Sequence, residues 1–205
     1  MRIPVRQLFV ATLAAATFGM VACSDDSNSP NRTGQIRVLI TDAPSDIIAS
    51  ATVWVSRVYL QGGGADDAPA VDLFNDRANP RSYDLLTLRD GITAALTDAV
   101  DVNVGAYQQL RFIVDSARVT LVPGEQFADG TTSRRLMVPS GAQTGIKVNL
   151  ATALRAEEGE TTTIVVDVDV DRNFVIQGNP GTPAGITGIL FTPTLVELRR
   201  STDGG

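Results

Sequence analysis

The chain has 205 residues, 43% of them hydrophobic and 20% charged, and carries a formal charge of −6 with no histidine. That length is enough to bury one core and cramped for two. Without histidine, a Ser-His-Asp or Cys-His nucleophile and a histidine-based zinc site are excluded by inventory, and an acidic chain with 5% aromatics is a poor nucleic-acid binder.

The opening MRIPVRQLFVATLAAATFGMVAC has a basic start at Arg2 and Arg6, an uncharged stretch over residues 7–22, and then Cys23. An apolar run this short, with no positive stop behind it, reads as a secretory signal over residues 1–22 and not as a spanning helix. Met20-Val21-Ala22-Cys23 resembles the bacterial lipobox, which implies that Cys23, the sole cysteine, becomes the acylated first residue of the mature protein. The chain would then be held to the membrane by its acyl groups (palmitate among them), with no free thiol. Loss of Arg2 and Arg6 leaves 15 basic against 23 acidic residues, a charge of −8. Residues 23–34 continue as a polar leash, SDDSNSPNRTG, without an apolar side chain. Ser24 after the cysteine resembles the pattern that sends lipoproteins to the outer membrane, so the expected location is lipid-anchored in the bacterial cell envelope, at the outer membrane.

From residue 35 onward the dominant period is two. Strands are expected at residues 35–41, 51–61, 70–74, 106–116, 118–122, 133–138, 145–150, 161–170 and 189–198, separated by Gly, Pro, Asp and Asn. Within the first, Ile36, Val38 and Ile40 point one way and Arg37 and Thr41 the other. Only the run over residues 83–98, with Leu88, Ile92, Ala95 and Leu96 at helical spacing, suggests one or two helical turns. Eight or nine strands are too many for one flat sheet with a core, so the predicted fold is all-β, an antiparallel β-sandwich over residues 35–200 with one short helical segment and a disordered tail at 201–205.

IRVLITDAPSD, YDLLTLRDGITAAL, VNVGAYQQLRFIVDSA, LMVPSGAQTGIKVNL and VVDVDVDRNFVIQGN followed by FTPTLVEL together resemble, in this order, the bacterial and archaeal domain-of-unknown-function family numbered 4382. The resemblance spans nearly everything after the leash and implies a secreted lipoprotein; it implies no activity. GAYQQLRF is also similar to the strand entry of transthyretin-like and carboxypeptidase-regulatory-like sandwiches, an analogy of fold alone.

The chemistry left open is that of carboxylates and of Lys147, the only lysine. In IVVDVDVDRNFV, Asp167, Asp169 and Asp171 alternate with valines. Alternate residues on a strand lie about 6.6–6.8 Å apart, whereas calcium gathers six to eight oxygens at roughly 2.3–2.6 Å, so three carboxylates of one strand cannot close on one ion. Val166, Val168 and Val170 are therefore expected in the core, and Asp167 on the wet face, paired across strands with Arg111, Arg118, Arg134 or Arg135. Asp169 and Asp171 stand where the strand meets a loop, and Asp42 of TDAP is placed at the same end. These three are the candidate ligand or metal site, with calcium as the candidate ion; the alternative role of Asp42 is an Asx turn before Pro44. Gly141, Gly145 and Lys147 could form an anion-binding loop, or a tight hairpin, and Ser140 with Lys147 a catalytic pair. The functional expectation is a membrane-tethered, non-enzymatic binding module for an envelope protein or glycan. Calcium or carbohydrate binding is the first alternative, and a carboxylate-based hydrolase the second.

Overall fold

The computed structural model describes residues 32–62, 69–138, 144–180, 182 and 184–204. Cys23, Ser140 and Gly141 lie outside the described residues. In chain order the strands are β1 (Thr33–Thr41), β2 (Ile48–Gln61), β3 (Val71–Asn75), β4 (Arg81–Asp84), β5 (Ala94–Ala95), β6 (Val100–Asn103), β7 (Gly105–Tyr107) and β8 (Gln109–Leu121). They continue with β9 (Ser133–Leu136), β10 (Ile146–Asn149), β11 (Leu154–Ala156), β12 (Glu160–Asp167), β13 (Phe174–Asn179), β14 (Gly185–Phe191) and β15 (Leu195–Gly204). A single helical turn, α1 (Val170–Asn173), separates β12 from β13.

The all-β expectation holds. One curled sheet runs β3-β2-β8-β10-β15-β12-β1-β5, with β4 on β2, β6 on β1 and β9 on β8, and the pairs β11-β7 and β13-β14 stand beside it. The four residues of β10 form the corner: Ile146 and Lys147 pair with Phe112 and Arg111 of β8, then Val148 and Asn149 pair with Leu195 and Val196 of β15. Curling at this corner brings the inner faces of the two halves into one core, where Val53, Val55, Leu110 and Phe112 of one half join Ile36, Val38, Ile164 and Val166 of the other. The sheet is mixed, not purely antiparallel as expected, because β1–β12 and β10–β15 are parallel. Parallel neighbours require a crossover; between β1 and β12 that crossover is most of the chain.

Alternation placed the core correctly. Ile36, Val38 and Ile40 are buried, as are Val166, Val168 and Val170. Several boundaries differ from expectation. The two strands expected at 106–116 and 118–122 are the continuous β8, which pairs with β2 over nearly its whole length. The strand expected at 189–198 is broken at Thr192-Pro193-Thr194, where the buried Asn173 accepts from Thr194 N (2.6 Å) and donates to Thr194 O (3.0 Å). A proline that cannot donate to a ladder is thus accommodated at the turn between β14 and β15. In the expected helical stretch only Leu85–Thr87 coils, as one 3-10 turn capped by Asp84; Leu88 and Leu96 are buried, but Ala94–Ala95 pairs with β1 as β5. The expected tail at 201–204 is part of β15, paired with Glu160 to Thr163; the ladder supplies the hydrogen bonds that order it.

Core and surface on the neighbouring strands β12 and β15 give a direct contrast. Ile164 is fully buried and Leu198 is 58% exposed. Ile164→Ala is expected to cost about 2–5 kcal/mol and Leu198→Ala no more than roughly 0.5 kcal/mol, read as the difference in denaturant midpoint at unchanged m-value.

Candidate functional site

The ends of β1 and β12 lie side by side, in parallel register from Gln35 opposite Thr161 to Thr41 opposite Asp167. Both strands stop there, and the hydrogen bonds that follow knit three segments together. Val168 N donates to Thr41 O (3.2 Å), Asp42 N donates to Leu88 O (3.2 Å), and Thr41 Oγ1 donates to the carbonyls of Leu88 and Ile92 (both 2.8 Å). Asp42 completes the knot: its Oδ1 accepts from the backbone N–H of Val170 at 2.8 Å, 128 residues away in sequence. An Asx turn, the alternative expected for Asp42, would have been local; the bond that forms instead is a long-range clamp on the first residue of α1.

Asp42 is 6% exposed, and its second oxygen, Oδ2, is buried without a hydrogen-bond partner. Burial pushes this carboxyl from 3.8 up to about 7. The N–H groups of Val170 and Ala43 oppose the shift, and the charges of Asp167 and Asp169 add to it. Asp167 is raised in the same direction, first by burial and then by the charge of Asp169. Asp167 was expected to be an ordinary wet-face charge paired with an arginine across the sheet. It is half-buried, its Oδ1 accepts from Asp169 N at 3.3 Å, and Arg134, one of the arginines proposed for it, instead pairs with Asp129. It is the member of the cluster that the sequence did not single out; the signal was its position as the last residue of β12, directly opposite Thr41.

Asp169 turns the chain. Its φ of 44° is left-handed, a conformation that Asp tolerates better than most residues. From there it caps α1, with Oδ1 accepting from Arg172 N at 3.2 Å and Oδ2 3.0 Å from Arg172 Nε. The structure therefore brings Asp42 and Asp169 within electrostatic reach, together with Asp167. Asp171 is elsewhere: exposed on α1, it lines a separate depression of about 340 Å³ with Ser45, Asp46, Ile48 and Phe174. Among the described residues no group of three His, Cys, Asp or Glu is arranged to hold a metal ion. The aspartates supply oxygen donors of the kind calcium takes, but Asp42 Oδ1 is already engaged by Val170 and Asp169 by Arg172.

Of the anion-loop candidates, Gly145 and Lys147 are described. Gly145 has φ 73°, and a Cβ there would press on Phe112 O at 3.1 Å and on the Tyr59 hydroxyl at 3.2 Å. Its role is to let the chain turn tightly onto β8, beside Thr144, whose carbonyl accepts from Tyr59 Oη (2.9 Å) and Arg111 Nη1 (2.8 Å). Lys147 is exposed on β10 opposite Arg111.

The Asp42 carboxyl binds its proton more tightly in the folded chain than in the unfolded one. Its contribution to stability is therefore full below about pH 4 and is lost as pH rises toward 7. Asp42→Asn keeps an oxygen for Val170 N–H and removes the titration. The stability difference, variant minus wild type, is expected to grow between pH 4 and 7, up to roughly 4 kcal/mol, measured by denaturant unfolding at each pH. A difference independent of pH would show that Asp42 does not titrate in this window.

No curated protein and no solved structure matches the chain. Residues 33–182 match a family described as a domain of unknown function, DUF4382. That stretch begins at β1 and contains Asp42, the whole of β12, and α1 with Asp169. The chain belongs to the DUF4382 family.

Proposed function

We propose that this protein is a non-enzymatic binding module of the bacterial envelope, held to a membrane through an acylated Cys23. The observation that carries the non-enzymatic part is the closure of Asp42. A general acid working near neutral pH needs a raised carboxyl, and it must also reach its substrate. Asp42 meets the first requirement and fails the second, because one oxygen is bound to Val170 N–H and the other is sealed from solvent. Its unusual acidity is explained by its place in the fold. The membrane part rests on Met20-Val21-Ala22-Cys23 and the polar leash behind it. No helix among the described residues is long and apolar enough to cross a membrane. Acyl chains gain about 0.8 kcal/mol per buried methylene, so several together anchor a protein durably.

Two measurements test this reading. Cys23→Ala is expected to move the protein from the membrane fraction to the soluble fraction, and retention in membranes would remove the acyl anchor from the proposal. Melting curves in millimolar calcium and in chelator are expected to superimpose. A calcium-dependent rise in Tm, the signature of an ion that binds the folded state, would replace this reading with a calcium-binding one.

A further inference from the structure

On the outer face of the first half of the sheet lies Trp54, the only tryptophan of the chain. Its neighbours Val53 and Val55 are buried at 3% and 1% exposure, so strand alternation turns Trp54 outward, where it remains half-buried. It lines a shallow depression of about 280 Å³ with Pro80, Asp115, Ser116, Arg118 and Arg135. Register explains the gathering. Trp54 is opposite Ser116 and Thr52 opposite Arg118, while Val55 is already opposite Val114, so Asp115 is the extra residue of a β-bulge. A bulge re-aims a side chain, and here it sets Asp115 beside Ser116 at the tryptophan. On the far side of β8, Arg118 is directly opposite Arg135 of β9.

Two like charges placed directly opposite on neighbouring strands destabilise a sheet. Among the described residues neither guanidinium has an ion-pair or hydrogen-bond partner, although the chain holds more acidic than basic residues. Asp115 lines the same depression without pairing to either one. An anion that accepted from both guanidiniums would relieve the repulsion. The strands beneath are fully flanked, β2 by β8 on one side and by β3 and β4 on the other, and β8 by β2, β9 and β10. Neither β2, which carries Trp54, nor β8, which carries Arg118, has an edge open there for an extended peptide to add to.

We propose that this face binds a short acidic saccharide, one carrying uronic-acid carboxylates. The sugar's C–H face stacks on the Trp54 ring, a carboxylate accepts from Arg118 and Arg135, and Asp115 and Ser116 take the hydroxyls. The depression stands at the small end of ligand sites, which run from roughly 300 Å³ upward, and suits one or two sugar rings.

The inference deepens the binding-module reading and rests on it, but fails separately: Cys23→Ala tests the anchor, and the test here leaves the anchor untouched. Because Trp54 is the sole tryptophan, intrinsic fluorescence of the detergent-purified protein reports on this face alone. Trigalacturonate and trimannuronate are titrated against maltotriose as the neutral sugar and triglutamate as the acidic peptide. The expected result is a saturable change with at least one oligouronate, weakened by added salt, and none with maltotriose or triglutamate. Arg118→Ala and Arg135→Ala alter exposed side chains and each removes one of the two opposed charges, so each is expected to weaken binding about tenfold or more with Tm unchanged or raised. Calorimetry with Trp54→Ala should show the binding lost. Equal binding of maltotriose, binding of triglutamate alone, indifference to both arginine substitutions, or silence with both oligouronates would each overturn the proposal.

Discussion

The hydrogen bond from Val170 N–H to the Asp42 carboxylate closes the fold where two parallel strands end. A parallel pair has no hairpin to hold its ends in register, so β1 and β12 need another device at the point where both stop. Asp42 supplies it, with Thr41 reaching the carbonyls of Leu88 and Ile92 and accepting from Val168 N. Three segments far apart in sequence are thereby fixed within a few ångströms. The next turn of chain carries this order onward: Asn173, fully buried, holds the break between β14 and β15.

The clamp accounts for the site's electrostatics. A carboxyl that is buried to serve the backbone loses most of its water and gains only the backbone N–H groups of Val170 and Ala43, while Asp167 and Asp169 sit close enough to oppose its charge. All three contributions follow from packing. A raised carboxyl in an acidic cluster is a common mark of a functional site, yet structural networks shift acidities too. Accessibility separates the two cases, and Asp42 Oδ2 has none.

The open chemistry lies on the other half of the sheet. At Trp54 the charges of Asp115, Arg118 and Arg135 are exposed and, among the described residues, unpaired. Arg118 and Arg135 face each other across β8 and β9, beside an aromatic ring and a carboxylate brought round by a bulge. A domain this acidic with an uncompensated pair of arginines at its only tryptophan has a polarity that its overall charge conceals. The two regions thus divide the work, one holding the fold and the other meeting solvent.

The sequence by itself determined the all-β character, because a period of two in hydrophobicity states which side chains of a strand are buried: Val38, Val166 and Val168 were legible as core. It also carried the ordered motifs that resemble the family, whose match covers residues 33–182, and the removal of histidine chemistry by inventory. Tertiary structure decided the rest. Period two says nothing of which strand lies beside which, so the parallel ladders and the corner at β10 were invisible. The partner of Asp42 is 128 residues away, and the environment of Asp167 depends on where β1 ends. In the sequence Trp54 is one aromatic residue among few; its place beside Arg118 and Arg135 follows only from the pairing of β2, β8 and β9. Alternation is a property of one strand, whereas burial of a charge and convergence of a site depend on register between strands, and register is fixed only when the core closes.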